Sequence, residues 1–157
     1  MKLDNAKRAG VIKLIYMLIP LLVVAAVAVI YLVYDVKDLS SMVIAFVVLL
    51  FFFLVMAVFR LNYIIFYAAP DKIVVRYKAL TPFNSPSNSV QIKSNDFRKY
   101  ELKTRLGGLK KTLYLYLQSP SGLAKYPGIG LGALKSGEID KITKALDLII
   151  AMNKKMG

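Results

Sequence analysis

The sequence predicts an α+β membrane protein: an N-terminal hairpin of two transmembrane helices, then antiparallel strands closed by a C-terminal helix. Three observations carry this. Residues 14–33 form a run of 20 without charge, and residues 42–59 a second run of 18; about 20 apolar residues span the hydrocarbon core as a helix. Between 72 and 118, apolar and polar residues alternate in short blocks separated by Gly, Pro, Asn and Ser, the period of half-buried strands. Ile139, Ile142, Leu146, Ile149 and Ile150 then recur at helical spacing. The chain divides into a hairpin over 1–60, with helices over about 11–34 and 41–60, and a domain over 61–157, with strands over about 61–132 and a helix over about 136–154.

Lys13 stands at the entry to the first apolar run and can carry its ammonium back to the headgroups. Tyr31 and Tyr34 fall at the far boundary, where amphipathic rings are favoured, and Arg60 closes the second run. Neither run contains Asp, Glu, His, Asn or Gln, the groups that mark ion or substrate paths at depth. Neither has a G-x-x-x-G, although Ala25, Ala26, Ala28, Ala45 and Ala57 permit close helix contact. Pro20 is tolerated where neighbours satisfy the freed carbonyl. The pair therefore reads as an anchor, with docking to a partner as the other use of its surface. A signal peptide is the competing account of the first run. That run exceeds the roughly 7–15 residues of a signal core, and its small residues lie inside it instead of after it.

The formal net charge of +13 is unevenly spread. Lys2, Lys7, Arg8 and Lys13 outweigh Asp4 at the start, whereas the connection holds Asp35 and Asp38 against Lys37. From residue 61 onward there are 16 basic and 6 acidic side chains. Short Lys- and Arg-rich flanks stay in the cytoplasm, so the expectation is a plasma (inner) membrane protein with two spans and both termini cytoplasmic.

Beyond Arg60, the segment 61–67 is β-branched and aromatic and precedes a turn at Pro70-Asp71, which favours a strand over a continued helix. Residues 72–78 put Ile73, Val75 and Tyr77 on one face. Segment 81–89, with two prolines, two asparagines and three serines, reads as a loop before a short strand over 90–93. In 97–104, Tyr100 and Leu102 face inward and Lys99, Glu101 and Lys103 outward; 105–110 is a glycine turn. Segment 111–118 is the strongest strand, with Leu113, Leu115 and Leu117 opposed to Tyr114 and Tyr116. Brief strands over 123–126 and 129–131 follow. Ser136 is placed to cap the last helix, with Glu138 and Asp140 near its positive end.

The entry strand 62–67, the turn Pro70-Asp71, the strands over 72–78 and 96–102, the hairpin 105–117, the Tyr126-Pro127 pair and the helix 137–150 together resemble the membrane-anchored bacterial families with a pleckstrin-homology-like (PH-like) domain. The resemblance spans nearly all the chain and rests on element order and length. It implies a PH-like antiparallel sandwich or barrel capped by the C-terminal helix. It supplies no active-site residues, because these families are largely uncharacterised.

With no cysteine and no histidine, thiolate or imidazole metal sites and Ser-His-Asp triads are excluded. No pair of the domain's six acids is spaced for acid–base work. Gly128, Gly130 and Gly132 lack the phosphate-loop pattern and read as a bent strand. No catalytic residue, metal or cofactor is expected. The candidate binding residues are Lys103, Arg105, Lys110 and Lys111 around Gly107-Gly108, able to meet an anionic headgroup or a partner, or else to solvate and protect a sheet edge. A domain tethered at the bilayer meets lipid before nucleic acid, so nucleic acid is not an expected partner. The expected function is that of a non-enzymatic accessory or scaffold subunit of a larger inner-membrane complex for secretion, translocation or transport, with the lipid bilayer and a protein as partners. The alternative is a stand-alone module binding anionic lipid or peptide at the inner leaflet.

Overall fold

A computed structural model describes residues 1–33, 39–59, 61–81, 86–108, 110–120 and 122–156. Its first element is a strand, β1 (Lys2–Asp4), followed by two long helices, α1 (Ala6–Val33) and α2 (Leu39–Phe59). Then come β2 (Asn62–Ala68), β3 (Lys72–Ala79), β4 (Ser87–Lys93), a 3-10 turn (Ser94–Asp96), β5 (Phe97–Arg105), β6 (Lys110–Ser119), β7 (Gly122–Lys125), β8 (Ile129–Gly130) and α3 (Ser136–Met156).

Both sheets are antiparallel. The first has the order β1-β2-β3-β4; in the second, β5-β6-β7 are neighbours and β8 also pairs with β6. The charged N-terminal flank is thus not a plain lead-in to a helix starting near 11. Lys2, Leu3 and Asp4 lie opposite Tyr67, Phe66 and Ile65, and α1 begins at Ala6. The two helices are inserted between neighbouring strands of one sheet. Leu3 explains the pairing physically: its side chain is buried in the main core, a gain of about 2 kcal/mol for a leucine. Asp4 then turns the chain, its Oδ1 accepting from the Ala6 N–H at 2.8 Å, which also places an anion at the helix start.

The main core lies between the sheets and α3. Ile64, Phe66, Ile73, Val75, Val90 and Ile92 come from the first sheet, Phe97, Leu113, Leu115 and Ile129 from the second, and Ile139, Ile142, Leu146 and Ile149 from α3. Asn153, near the end of α3, donates to the carbonyls of Ser94 at 2.6 Å and Phe97 at 3.0 Å, tying the helix to the turn between the sheets. At its start, Glu138 accepts from the Lys135 N–H at 2.7 Å. Glu138 therefore closes the first turn that the sequence assigns to Ser136, because a carboxylate three residues on reaches back to the free donor.

The loop expected over 81–89 is shorter than its composition implies. Ser87, Asn88 and Ser89 belong to β4, opposite Lys78, Tyr77 and Arg76; residues 82–85 lie outside the described residues. The β3 ladder satisfies these backbone groups, so turn-forming side chains are tolerated on an exposed edge.

The two helices are long and apolar enough to cross a membrane, with mean hydropathy 2.7 over an 18-residue stretch inside Ala6–Leu32 and 3.2 over Met42–Phe59. They lean on one another, Tyr16 meeting Phe52 edge to face at 6.1 Å and 71°. A second apolar cluster joins their base to the domain: Ala9, Tyr16, Leu80 and Ala133 are buried, with Ile12, Phe52, Met56, Leu61 and Tyr63 around them. The first segments of α1 are thereby seated on the end of β3 and the loop after β8.

Candidate functional site

The outer face of the second sheet gathers the candidate residues. Across the β5–β6 pair, Lys99 stands opposite Tyr116, Glu101 opposite Tyr114, Lys103 opposite Thr112 and Arg105 opposite Lys110, while Lys125 of β7 stands opposite Tyr116. Directly paired residues share a face, so Lys99, Lys103, Arg105, Lys110 and Lys125 are displayed together around one acid, Glu101. Lys111 pairs with Thr104 and falls on the reverse side, because the strand period is two. Three of the four expected binding residues thus share a face, and the fourth does not.

Lysines cover the tyrosine rings of this face. The Lys125 ammonium lies 4.1 Å from the Tyr114 ring centre and 5.5 Å from that of Tyr116, Lys99 is 4.7 Å from Tyr116, and Lys103 is 5.6 Å from Tyr114. Such contacts contribute about 0.5–1 kcal/mol each at exposed sites. Glu101 accepts from the Tyr116 hydroxyl at 2.9 Å and lies 4.0 Å from Lys99 and 3.9 Å from Lys103. The Tyr116 hydrogen bond holds its carboxyl below the usual range, partial burial opposes this, and the charges of Lys103, Lys99 and Lys125 add to the lowering. The acid binds the lattice together and leaves the face strongly positive.

At the end of this sheet the β5–β6 connection turns through three residues of left-handed backbone, Leu106 at φ 53°, Gly107 at 60° and Gly108 at 98°. Leu106 is exposed. No acid occurs between residues 102 and 118, and among the described residues Arg105, Lys110 and Lys111 make no ion pair.

The register shows where this tip points. β8 is antiparallel to β6, with Leu113 opposite Ile129 and Thr112 opposite Gly130; next, the Leu131 N–H donates to the Lys111 carbonyl at 2.8 Å. One residue further, a Cβ on Gly132 would stand 3.1 Å from the Phe59 carbonyl and 3.0 Å from Leu61. The start of β6 and the exit of β8 therefore leave the sheet together, toward the end of α2. The start of β6, at Lys111, is thereby brought near Phe59 at the end of α2.

The chain matches no known family model, no curated protein and no solved structure. Its function is to be read from its own residues.

Lys13 is exposed on α1 one turn before the buried Tyr16, and Tyr31 is exposed near the other end of that helix. Tyr34 and Arg60 lie outside the described residues. Lys125, Tyr114 and Tyr116 escaped the sequence reading as site residues. The lysine side of β5 and the tyrosine side of β6 were legible from alternation, but not the register that interleaves them, and Leu102, expected to face inward, is exposed near the open end of β5. Asn5 and Asn62 were missed as well; both are buried, and polar residues flanking apolar runs carry no signal that they will be.

Proposed function

We propose that this chain is a small, non-catalytic integral membrane protein whose helix pair spans the bilayer as a hairpin. Its PH-like domain, held at the cytoplasmic face, serves as an accessory or scaffold subunit of a larger membrane complex. The observation that carries this reading is β1. Because the strand ahead of α1 and the strand after α2 are neighbours in one sheet, both ends of the helix pair are clamped into one domain. A domain so mounted keeps a fixed height and orientation at the surface, which suits a docking subunit better than a tethered, freely swinging binder.

Burial supports the membrane reading. The apolar windows are only 6% and 0% buried within the chain, whereas a helix of a water-soluble core buries its apolar side chains. Removal of the first helix as a signal would also take away β1, the Leu3 side chain and the edge of the first sheet. The PH-like reading is supported by the order of strands: four in one sheet, then β5-β6-β7 as a second meander with the short β8 added beside β6, then a helix. On that reading the helix pair occupies the connection between the first and second strands. Structural duties of the acids support a non-catalytic role: Asp4, Glu101, Glu138 and Asp147 each accept a hydrogen bond that holds an element in place. The Lys99, Lys103 and Lys125 face offers an acidic partner protein a positive docking surface.

The test is purification of the full chain from native membranes in mild detergent. The expected result is a complex of fixed stoichiometry that resists carbonate extraction and is lost in a Lys99→Glu, Lys125→Glu variant that still folds. A carbonate-soluble chain, or one that migrates alone in every mild detergent, overturns the proposal.

A further inference from the structure

We infer that the β5–β6 tip is a second membrane contact: a basic, leucine-tipped finger that docks on the anionic headgroups of the leaflet from which the helix pair emerges. This rests on the membrane-spanning reading above and adds to it a specific lipid chemistry and a specific surface.

Three independent observations converge on it. The first is position. The register from β8 through Leu131 and Gly132 brings the start of β6 alongside Phe59, the last residue of α2. Strands advance about 3.4 Å per residue, so the turn residues project roughly one to two rungs past that level. If α2 spans the bilayer, they project toward the leaflet.

The second is charge. Lys103, Arg105, Lys110 and Lys111 crowd the end of one hairpin with no acid between residues 102 and 118. Among the described residues, Lys103 alone of the four has a carboxylate within 4 Å, shared with Lys99. Lys111, on the reverse face from the other three, is wrongly placed for a single ligand gripped on one face of the sheet. It is well placed for a plane of phosphates met end-on, because both faces of a hairpin end on such a plane. That distinction favours a lipid surface over one bound anion.

The third is Leu106. It is 54% exposed and takes a left-handed backbone conformation unusual for a leucine, which costs roughly 1–2 kcal/mol. Glycine would fit the turn better. An apolar side chain held out in a disfavoured conformation, between cations, has the make-up of an interfacial anchor: the leucine enters the boundary of the acyl chains and the ammonium and guanidinium groups remain with the phosphates.

The absence of cysteine makes the test direct. Full-length single-cysteine variants carry a polarity-sensitive dye at Leu106→Cys, at Phe46→Cys within α2 and at Leu123→Cys on β7. Leu123 pairs opposite Gln118, eight residues and about 27 Å along β6 from Lys110. Each is reconstituted in vesicles of phosphatidylcholine alone, or with one lipid in three replaced by phosphatidylglycerol, and quenched by lipids bearing spin labels near the headgroup.

The expected result is quenching at Leu106 that rises with phosphatidylglycerol, falls with added salt, and drops in an Arg105→Glu, Lys110→Glu background. Loss of each basic contact should reduce the docked-to-free ratio by about fivefold. The Leu123 dye stays at the aqueous level throughout, and the Phe46 dye is shielded from aqueous quencher in both lipids. A Leu106 dye as aqueous as Leu123 in both vesicles, with Phe46 still shielded, overturns the finger while leaving the spanning helices intact. A Phe46 dye open to aqueous quencher removes the spanning reading and the finger with it. Quenching at Leu106 that is equal in both vesicles and indifferent to salt overturns the anionic-headgroup assignment.

Discussion

The side-chain amide of Asn5 donates to the carbonyl of Asn62 at 3.2 Å across 57 residues of chain. Asn5 also accepts from the Ile64 N–H at 2.7 Å, so it extends the β1–β2 ladder past the point where its backbone turns into α1. Asn62 in turn donates to the Gly130 carbonyl at 2.9 Å. Two buried amides thus link the N-terminus, the first sheet and β8 of the second, at the level where the helices leave the domain.

Replacing Asn5 by Ala should expose the value of that link. The change leaves a buried Ile64 donor and Asn62 acceptor without partners, at a cost of about 1–3 kcal/mol. Thermal unfolding of the full chain in detergent, followed by circular dichroism in the strand region, is expected to shift downward by several degrees. Amide exchange at Ile64 should accelerate more than exchange in β5. An unchanged midpoint would show that β1 is a passive lead-in.

A second prediction concerns alkaline stability. The Tyr100 hydroxyl donates to Asp147 Oδ1 at 2.9 Å, joining β5 to α3. Burial, then the Asp147 hydrogen bond and charge, push its pKa from 10.0 up to about 12. The folded state holds the proton more tightly than the unfolded chain. The contribution is therefore complete below pH 10 and is lost as pH rises from 10 towards 12. Wild type should be more stable than Tyr100→Phe at neutral pH, and the gap between their unfolding midpoints should close across that window. A constant gap would assign Tyr100 a packing role alone.

Much of this architecture was written in periodicity. The charge-free runs marked α1 and α2, the Leu-Tyr alternation marked β6, and the isoleucine spacing marked the buried stripe of α3. Hidden from the sequence was everything that depends on which segments meet. Three residues, Lys2 to Asp4, are too few to show a period, and their partner lies beyond two helices, so nothing local announces β1. The four basic residues of the β5–β6 hairpin were visible as a cluster. That Lys111 parts from the others follows only from the register, and that Lys99 and Lys125 join them needs the pairing of three strands.

The lattice on the second sheet yields a spectroscopic prediction. The Tyr116 hydrogen bond is the largest cause lowering the Glu101 pKa, ahead of the three lysines. Tyr116→Phe is expected to move the Glu101 carboxyl resonance titration upward, toward 4.5. Lys125→Ala should move it by less. Since the folded pKa is depressed, the associated stability is present above the unfolded value and fades as pH falls through the folded one. A larger shift in Lys125→Ala than in Tyr116→Phe would mean that charge, not the hydrogen bond, sets this carboxyl.

Two glycines in the run 128–132 should respond differently to a methyl group. At Gly128, a Cβ would lie 2.7 Å from both Thr112 Cγ2 and Tyr114 Cε1 and 2.9 Å from Tyr114 Cζ, below any tolerable contact. Gly128→Ala must therefore lift the Tyr114 ring or part β8 from β6, at a cost of about 1–3 kcal/mol. Because Lys125 and Lys103 sit over that ring, displacing it should also disturb the lysine lattice, visible as shifted lysine side-chain resonances. At Gly132 the nearest atoms are Leu61 Cδ2 at 3.0 Å and the Phe59 carbonyl at 3.1 Å. The leucine can yield, but the carbonyl belongs to the end of α2. Gly132→Ala is expected to cost less in midpoint and to act on a different part of the molecule, loosening the seat between helices and domain and raising amide exchange around Leu61 and Leu80. If Gly128→Ala were neutral while Gly132→Ala unfolded the chain, the close packing of β8 on β6 would not be what these glycines serve.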